Sequence, residues 1–256
     1  MKYYMAQIAS FLQDATKLFS YVHDHALLCY YDEKQYVDLM CKLYPHILVD
    51  SGAFSVYTMG AKINLQEYCD FCKKIDGKVD GYVNLDAIRN PEETIVNQKF
   101  MEKQGLDPMP VFHCGEELNF LDDYCNSYEY VGLGGKPTDR LLEVVFNKYP
   151  DKKFHGFGIT SPLMLRKYPF YSVDSTSWCQ TAGLGNIMFQ DGMTKHYSEL
   201  DEEDIMKLNR YGFSVENIRE KYVSRCFFNI VTTRNYCLTN NNQPKNEFRN
   251  VVEELK

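Results

Sequence analysis

Short apolar runs alternate with amphipathic segments along most of the chain. Such apolar runs are typical of the buried strands of a parallel sheet, and the segments between them show helical periodicity. The pattern predicts strands at 46–50, 81–86, 109–113, 129–133, 153–157 and 170–174, with an opening strand at 3–9 and a closing strand at 226–232. Helices are predicted at 64–76, 91–104, 117–125, 137–149 and 161–168.

Eight strands that alternate with helices predict a (β/α)8 TIM-like barrel, here as a single domain over residues 1–239 without a zinc subdomain. A doubly wound open sheet is the competing architecture. It is disfavoured because no glycine-rich phosphate loop follows the first strand and because polar strand ends are spread over six strands. Residues 180–225 are predicted to form an insertion or cap, and 240–256 a loosely tethered tail.

Polar residues follow several of the predicted strands. Two apolar runs end in Asp-Ser, at Asp50-Ser51 and Asp174-Ser175, and a third run ends at Asp86. The other strand-end candidates are His113, Gly134, Gly135 and His155. In a barrel the carboxyl ends of all strands converge on one mouth, so these residues are predicted to share an active site.

Each of these residues also has an ordinary structural interpretation: an aspartate can cap a helix, a histidine can be a satisfied core residue, and paired glycines can form a tight turn. Their recurrence at successive strand ends favours an enzyme. Several carboxylates without metal-ligand spacing suit nucleophilic or acid/base work at a carbon with a good leaving group, such as a glycosidic carbon. No metal site and no cofactor are predicted.

Composition and charge narrow the picture further. The net charge of −7 disfavours a broad nucleic-acid surface, although basic residues of the last fifth leave a local one open. No apolar run approaches the roughly 20 residues that span a bilayer, and the first residues lack a signal-peptide pattern, so a cytoplasmic protein without membrane contact is expected. The nine cysteines are scattered, and Cys69-x-x-Cys72 is interpreted as two thiols on a helix face.

The order of these motifs resembles the tRNA-guanine transglycosylase superfamily. The resemblance covers roughly residues 46–180 and rests on Asp50-Ser51-Gly52-Ala53-Phe54, Asp86, Gly132-Leu133-Gly134-Gly135 and Val173-Asp174. It is greatest toward the compact, often phage-encoded DpdA-like members that insert 7-deazaguanines into DNA. The stretches 155–161 and 172–178 are similar to that group in particular.

The resemblance implies exchange of guanine in nucleic acid for a 7-deazaguanine base such as preQ0 or preQ1, through a covalent aspartyl–sugar intermediate. By motif, Asp174 would be the nucleophile and Asp50 the acid/base. The base would be bound by Ser51, Phe54, Asp86, His113, Gly134 and Gly135, with His155 and Ser175 as accessory residues. Phe54 would stack on the base and Asp86 would bind its N1/N2 edge. A flipped base is commonly held in this way.

Two departures from the family pattern affect the expected substrate. The tRNA enzymes carry a Cys-x-Cys-x-x-Cys…His zinc site after the nucleophile strand, whereas only Cys179, Cys226 and Cys237 follow it here. Because that site supports tRNA docking, DNA is favoured over tRNA as the partner, and a partner protein is a further candidate for supplying nucleic-acid contacts. His113 also stands where the family usually has a base-binding glutamine.

Two alternatives stay open. One is an N-glycosidic hydrolase or base-transferase that acts on free nucleosides or nucleotides, which the acidic net charge supports. The other is a non-catalytic relative that binds a modified base. The presence of both Asp50 and Asp174 argues against the second, since a binding module needs no nucleophile.

Overall fold

In the computed structural model, which describes residues 1–11, 16–21 and 23–238, eight parallel strands form one curved sheet. In chain order they are β1 (Lys2–Ala6), β2 (His25–Cys29), β3 (His46–Asp50), β4 (Gly81–Tyr82), β5 (Val111–His113), β6 (Tyr130–Gly134), β7 (Lys153–Gly156) and β8 (Ser172–Ser175). Their spatial order is β4-β3-β2-β1-β8-β7-β6-β5.

The two edges of this sheet meet and close it. Val83 and Met109 form an isolated parallel bridge, in which the N–H of Asn84 donates to the carbonyl of Met109 at 2.9 Å and the N–H of Met109 donates to the carbonyl of Tyr82 at 2.9 Å. The predicted (β/α)8 TIM-like barrel is therefore confirmed.

Helices connect the strands on the outside of the barrel. They are α1 (Ile8–Phe11), α2 (Thr16–Ser20), α3 (Tyr30–Glu33), α4 (Val37–Leu43), α5 (Ala53–Met59), α6 (Leu65–Ile75), α7 (Pro91–Lys103), α8 (Leu118–Ser127), α9 (Asp139–Lys148) and α10 (Pro162–Lys167). Local sequence sets several of their starts. The side chain of Asn64 accepts from two backbone N–H groups of α6, and that of Asn90 accepts from Glu93 ahead of a helix with proline in its first turn.

Alternation along the strands separates two apolar layers. Tyr4, Leu27, Leu48, Val83 and Val111 face the barrel interior and belong to one buried cluster. The residues between them on the same strands, such as Met5, Leu28 and Val49, pack outward against the helices in a larger cluster. The period of two therefore fixes which residues of a strand share the interior with the strand-end polar groups.

One predicted strand was wrong, and one strand was missed. The predicted closing strand at 226–232 lies inside a long helix, α14 (Tyr222–Leu238). The aromatic and β-branched residues of this segment suit a strand, but here they lie on a helix. The side chain of Asn229 accepts from the N–H of Met188 at 2.7 Å and donates to the carbonyl of Trp178 at 3.0 Å, which ties this helix to its neighbours. Tertiary packing thus outweighs local propensity. The strand that completes the eight is β2.

The segment 180–225 contains small elements of its own. After α11 (Ser177–Gly183), the antiparallel strands β9 (Asn186–Met188) and β10 (Thr194–His196) precede α12 (Glu202–Arg210) and α13 (Val215–Glu220). α14 packs against α11, β9 and β1. The predicted tail at 240–256 lies outside the described residues.

Two further observations concern the predicted cysteine pair and membrane contact. Cys69 and Cys72 are buried free thiols on α6. Within the described ranges, no helix has both the length and the apolar character needed to cross a bilayer.

Candidate active site at the carboxyl ends of the strands

The barrel brings most of the predicted polar residues to one mouth. Asp50, His113 and Gly134 are the last residues of β3, β5 and β6. Asp174 lies near the end of β8, and Asp86 lies in the loop that follows β4. Because all eight strands are parallel, their carboxyl ends form a single rim.

Asp50 is a partly buried acid beside a second carboxylate. Burial raises its pKa to about 6, and the negative charge of Asp174 adds to this rise. The N–H of Gly52 donates to Oδ2 of Asp50 at 3.2 Å, and this hydrogen bond opposes the rise in pKa. Gly52 has a φ of +81°, and a Cβ there would lie 2.7 Å from Cβ of Tyr31, so glycine is required in this turn.

Asp174 is held by a fixed set of neighbours. Its Oδ1 accepts the N–H of Gly158 at 3.0 Å and lies 3.2 Å from Nε2 of His155. His155 is fully buried, and its Nδ1 lies 2.5 Å from Oγ of Ser172, which in turn bonds to the hydroxyl of Tyr130. A continuous polar chain therefore extends from inside the barrel to one oxygen of Asp174, which leaves its orientation well defined.

Asp86 and His113 form a second charged group. Nε2 of His113 lies 3.6 Å from Oδ2 of Asp86, and its Nδ1 lies 3.5 Å from Oε1 of Glu116. Burial lowers the pKa of His113, but hydrogen bonding to Glu116 and the charges of Asp86 and Asp50 outweigh burial, so the pKa lies above its ordinary value. Burial raises the pKa of Asp86 to about 7, with His113 opposing and Asp50 adding to the rise.

The second oxygen of Asp86 is the most distinctive polar atom of the mouth. Oδ1 of Asp86 is buried and has no hydrogen-bond partner among the described residues. Buried polar atoms nearly always have a partner in the protein or in ordered water. This buried carboxylate oxygen in the loop after β4 is therefore a candidate contact for a ligand.

The glycines of β6 make room for side chains from neighbouring strands. A Cβ at Gly134 would lie 2.9 Å from Cδ2 of His113, and one at Gly132 would lie 2.6 Å from Cε2 of Phe157. Gly135 is exposed, has a φ of +74°, and its backbone lies next to Cys114. Glycine at 134 therefore leaves room for the ring of His113. This gives a second explanation for the glycine, besides the predicted approach of a flat ligand to the backbone.

Three further predicted residues are also located. Ser51 is buried and its Oγ accepts the N–H of Ala53 at 3.4 Å, while Oγ of Ser175 accepts the N–H of Ser177 at 2.8 Å. Both hydroxyls therefore start the helix that follows their strand. Phe54 lies on α5 directly after the Asp50 turn, and 70% of it is exposed.

The rim around the mouth has unusual backbone and exposed rings. The non-glycine residues with positive φ in the described part of the chain are Gln7, Arg89 and Lys136, and all three lie in loops after strand ends. Such conformations are costly and concentrate at functional sites. Tyr57 of α5 is 47% exposed, and the guanidinium of Arg89 lies 5.8 Å from its ring centroid.

Sequence reasoning missed three participants. Glu116, Ser172 and Tyr130 contact His113 or His155, but none follows an apolar run as an acid or histidine does. Ser172 precedes Asp174 by two residues on the same strand, so strand alternation could have placed it on the same face. Glu116 could have been suspected only from its position in the short turn after β5.

Chemically, the mouth combines two acids with raised pKa values, Asp50 and Asp86, with the oriented carboxylate of Asp174 and the imidazole of His113. This set can donate and accept protons and can attack an electrophilic carbon. In the part of the chain that the structure describes, the side chains grouped as in a metal site lie at the opposite end of the barrel.

Comparisons with known proteins are limited to the fold. No family model matches the chain, and no curated protein matches it. Among solved structures, tryptophan synthase subunit alpha from Legionella pneumophila str. Paris is 11% identical, with a TM-score of 0.49 and coverage of 92% of this chain and 91% of that one. The carboxyl transferase domain from Rhizobium etli pyruvate carboxylase is 10% identical, with a TM-score of 0.46 and coverage of 97% and 50%.

A third solved structure, of a protein from Aquifex aeolicus VF5, is 14% identical with a TM-score of 0.46. It covers 72% of this chain and 86% of that one. Function must therefore be argued from the site itself.

Proposed function

We propose that the protein is an enzyme that exchanges guanine in a polynucleotide for a 7-deazaguanine base, with DNA as the preferred polymer. The observation that supports this most is the pairing of two unlike carboxyl groups at one mouth. Asp50 has a pKa of about 6, raised by burial and by the charge of Asp174, whereas Asp174 is oriented through Oδ1 by Gly158 and His155. Acid and nucleophile roles are divided in this way when environments differ.

The first half of the reaction removes guanine. Oδ2 of Asp174 forms a bond to C1′ of the nucleotide while the bond between C1′ and N9 breaks. The departing base takes the electron pair of that bond and receives a proton from Asp50. A covalent aspartyl–sugar intermediate divides one difficult substitution into two easier ones.

The second half reverses these roles. The incoming base gives its N9 proton to the carboxylate of Asp50, and its nitrogen attacks C1′. The bond between C1′ and Asp174 breaks, and Asp174 leaves as a carboxylate. Atoms and charges balance without any cofactor, since one base enters for each that departs.

In this proposal the base is bound by the second charged group, Asp86 and His113. The unpartnered Oδ1 of Asp86 can accept from N1–H and the amino group of a guanine-type base, and the exposed ring of Phe54 offers a stacking face. The imidazole of His113 lies between the carboxylates of Asp86 and Glu116 and orients Asp86 for this contact. This differs from the glutamine of the resembling family and accords with a 7-substituted base.

The side chains of the rim favour a polymer over a free nucleoside as the substrate. Exposed rings of Phe54 and Tyr57, with the guanidinium of Arg89 over Tyr57, resemble the stacking and cation–π contacts that bind unpaired nucleotides. The missing cysteine-rich zinc motif of the tRNA enzymes favours DNA over tRNA.

The second candidate is cleavage or base transfer on free nucleosides or nucleotides. The net charge of −7 favours it, because phosphate binding draws on basic residues. Both candidates use the same carboxylates, so they are distinguished by whether the substrate is a polynucleotide or a free nucleoside or nucleotide.

Label transfer tests the proposal. Purified protein is incubated with radiolabelled guanine and, in separate reactions, with duplex DNA, single-stranded DNA and bulk tRNA. The expected result is label in DNA from the native protein and none from Asp174→Asn. Base released from free nucleosides with no label in any polymer would support the second candidate, and label in tRNA alone would contradict the preference for DNA.

A further inference from the structure

The amino-terminal end of the barrel holds a second cluster of chemically active side chains. His25 and His46 are the first residues of β2 and β3, and Asp80 directly precedes β4. One nitrogen or oxygen from each of these three lies within 4.8 Å of the others. Nothing in the proposed reaction uses this cluster, because it lies at the opposite end of the strands.

The backbone holds the three residues rigidly. His25 and His46 are paired neighbours in the parallel ladder, and the N–H of Asp80 donates to the carbonyl of Ile47 at 2.7 Å. The two imidazole rings stack with centroids 4.4 Å apart. Three potential ligands at the starts of three adjacent strands therefore have fixed backbone origins.

A second set of contacts orients these side chains as in metal sites. Oδ1 of Asp24 lies 2.6 Å from Nδ1 of His25, which directs Nε2 of that ring away from the carboxylate. The hydroxyl of Tyr4 donates to Oδ2 of Asp80 at 2.7 Å, whereas Oδ1 of Asp80 faces His46 at 3.1 Å. Carboxylate–histidine pairs and hydrogen-bonded ligand carboxylates commonly support bound zinc.

The accessibility of the cluster also suits a cation. The side chain of His25 is 14% exposed and lies beside those of His46 and Asp80. His46 is 41% exposed and Asp80 is 23% exposed at their side chains, which gives an ion a path from solvent. Among the described residues, Lys2 competes for this carboxylate, with Nζ 3.5 Å from Oδ2 of Asp80, and its side chain is 33% exposed.

We propose that His25, His46 and Asp80 form a binding site for a divalent transition-metal ion of the zinc type, with solvent completing a four-coordinate shell. Two imidazoles and one carboxylate are a donor set that Zn²⁺ accepts in tetrahedral geometry. At this end of the barrel the ion would tie the starts of β2, β3 and β4 together and would act on stability, not on catalysis.

Titration with Co²⁺ followed by Zn²⁺ competition tests the site. One equivalent of Co²⁺ is expected to bind with visible absorption of nitrogen and oxygen ligation and without the intense near-ultraviolet band of thiolate ligation, which separates this site from the nine cysteines. Zn²⁺ at about 100 times its Kd is expected to raise Tm by about 5 °C. No binding, or a thiolate band, would overturn the proposal.

Variants locate the ion, and they are expected to change its affinity in both directions. His46→Ala and Asp80→Asn are each expected to weaken binding at least about 100-fold, and Asp24→Asn about 10-fold through the orientation of His25. Lys2→Met is expected to tighten binding several-fold, because it removes the competing cation. His196→Ala, at a histidine that lies on β10 outside the barrel, is the matched control and should leave binding unchanged. Undiminished binding in both His46→Ala and Asp80→Asn would refute the assignment.

Discussion

The two ends of the barrel use the same residue types in opposite ways. Inward-facing residues of β3 carry a polar group at each end, His46 and Asp50, with Leu48 between them and about 13 Å of strand separating the two. Burial alone would raise the pKa of Asp80 at the amino end, but hydrogen bonds from Tyr4 and His46 and the charge of Lys2 lower it. At the carboxyl end burial raises the pKa of Asp50 and Asp86.

The difference lies in the partners of each carboxylate. Asp80 has three partners within the protein, whereas Oδ1 of Asp86 has none among the described residues. A buried acid without a partner costs folding free energy and is retained where a ligand uses it. This contrast accords with the proposed reaction at the carboxyl end, where Asp50 and Asp86 have raised pKa values, whereas the pKa of Asp80 at the amino end is lowered.

Loss of the proposed nucleophile, Asp174, is expected to have the largest effect and to be confined to one end. Asp174→Asn should reduce base exchange by roughly 10⁴-fold or more, because no bond to C1′ can form. The fold should persist, since the amide keeps the contact with the N–H of Gly158. Single-turnover exchange measures the loss, and Asp80→Asn at the other end serves as the control with native exchange. Native exchange in Asp174→Asn would remove it as nucleophile.

Loss of the base-binding acid should have an intermediate effect. Asp86→Ala is expected to weaken binding of a 7-deazaguanine by about 1.5–3 kcal/mol, the usual worth of a hydrogen bond to a charged group. Calorimetry with the free base measures this change. Unchanged affinity would show that the unpartnered oxygen of Asp86 does not contact the base.

The pH dependence of guanine release should follow the acid at the mouth. Asp50 must be protonated to donate to the departing base, and its pKa is about 6. The rate is therefore expected to fall about tenfold per pH unit above pH 6. Release of labelled guanine from DNA in a single turnover between pH 5 and 8 measures the profile.

Two variants separate Asp50 from its titrating neighbours in that profile. Asp50→Asn should be slow and independent of pH. Asp86→Asn should keep the break near pH 6 although Asp86 and His113 also titrate in this site. A break that disappears in Asp86→Asn and persists in Asp50→Asn would show that Asp86, and not Asp50, is the acid.

Stability should respond to pH with opposite sign at the two ends. The folded-state pKa of Asp50 lies above its ordinary value, so its stabilising contribution is present below about pH 4 and is lost as pH rises through 6. Asp50→Asn is therefore expected to raise the free energy of unfolding by about 2 kcal/mol at pH 8 and hardly at pH 4. Thermal unfolding at both pH values tests this, and an equal change at both would contradict it.

The smallest effect is expected at the amino end. The folded-state pKa of Asp80 lies below its ordinary value, so its contribution is present above about pH 4 and is lost as pH falls through the lowered pKa. Asp80→Asn should lower the free energy of unfolding by about 1 kcal/mol at pH 7 in metal-free protein. Chemical denaturation measures it. A gain in stability at pH 7 would remove the contrast between the ends.

Sequence pattern predicted the mouth better than the barrel's closure or its opposite end. Asp50, Asp86 and Asp174 follow apolar runs, and parallel topology then places them at one rim. The β2 strand was missed because its Ala-Leu-Leu core also suits a helix, and α14 was mistaken for a strand because its apolar run is rich in phenylalanine and β-branched residues.

Contacts across strands could not be predicted from spacing alone. The link from Ser172 through His155 to Asp174 depends on the register in which β7 pairs with β8. The cluster of His25, His46 and Asp80 combines ligands 21 and 34 residues apart, and only the side-by-side starts of three strands bring them together. No local motif marks either arrangement.

The most direct test of the central claim is the mass of the acid-quenched protein after reaction with a guanine-containing DNA oligonucleotide. The account predicts an adduct with the mass of protein plus oligonucleotide minus guanine, with the modified peptide mapping to Asp174 and no adduct in Asp174→Asn. An adduct that maps to another residue, or active base exchange without any adduct in the native protein, would contradict it.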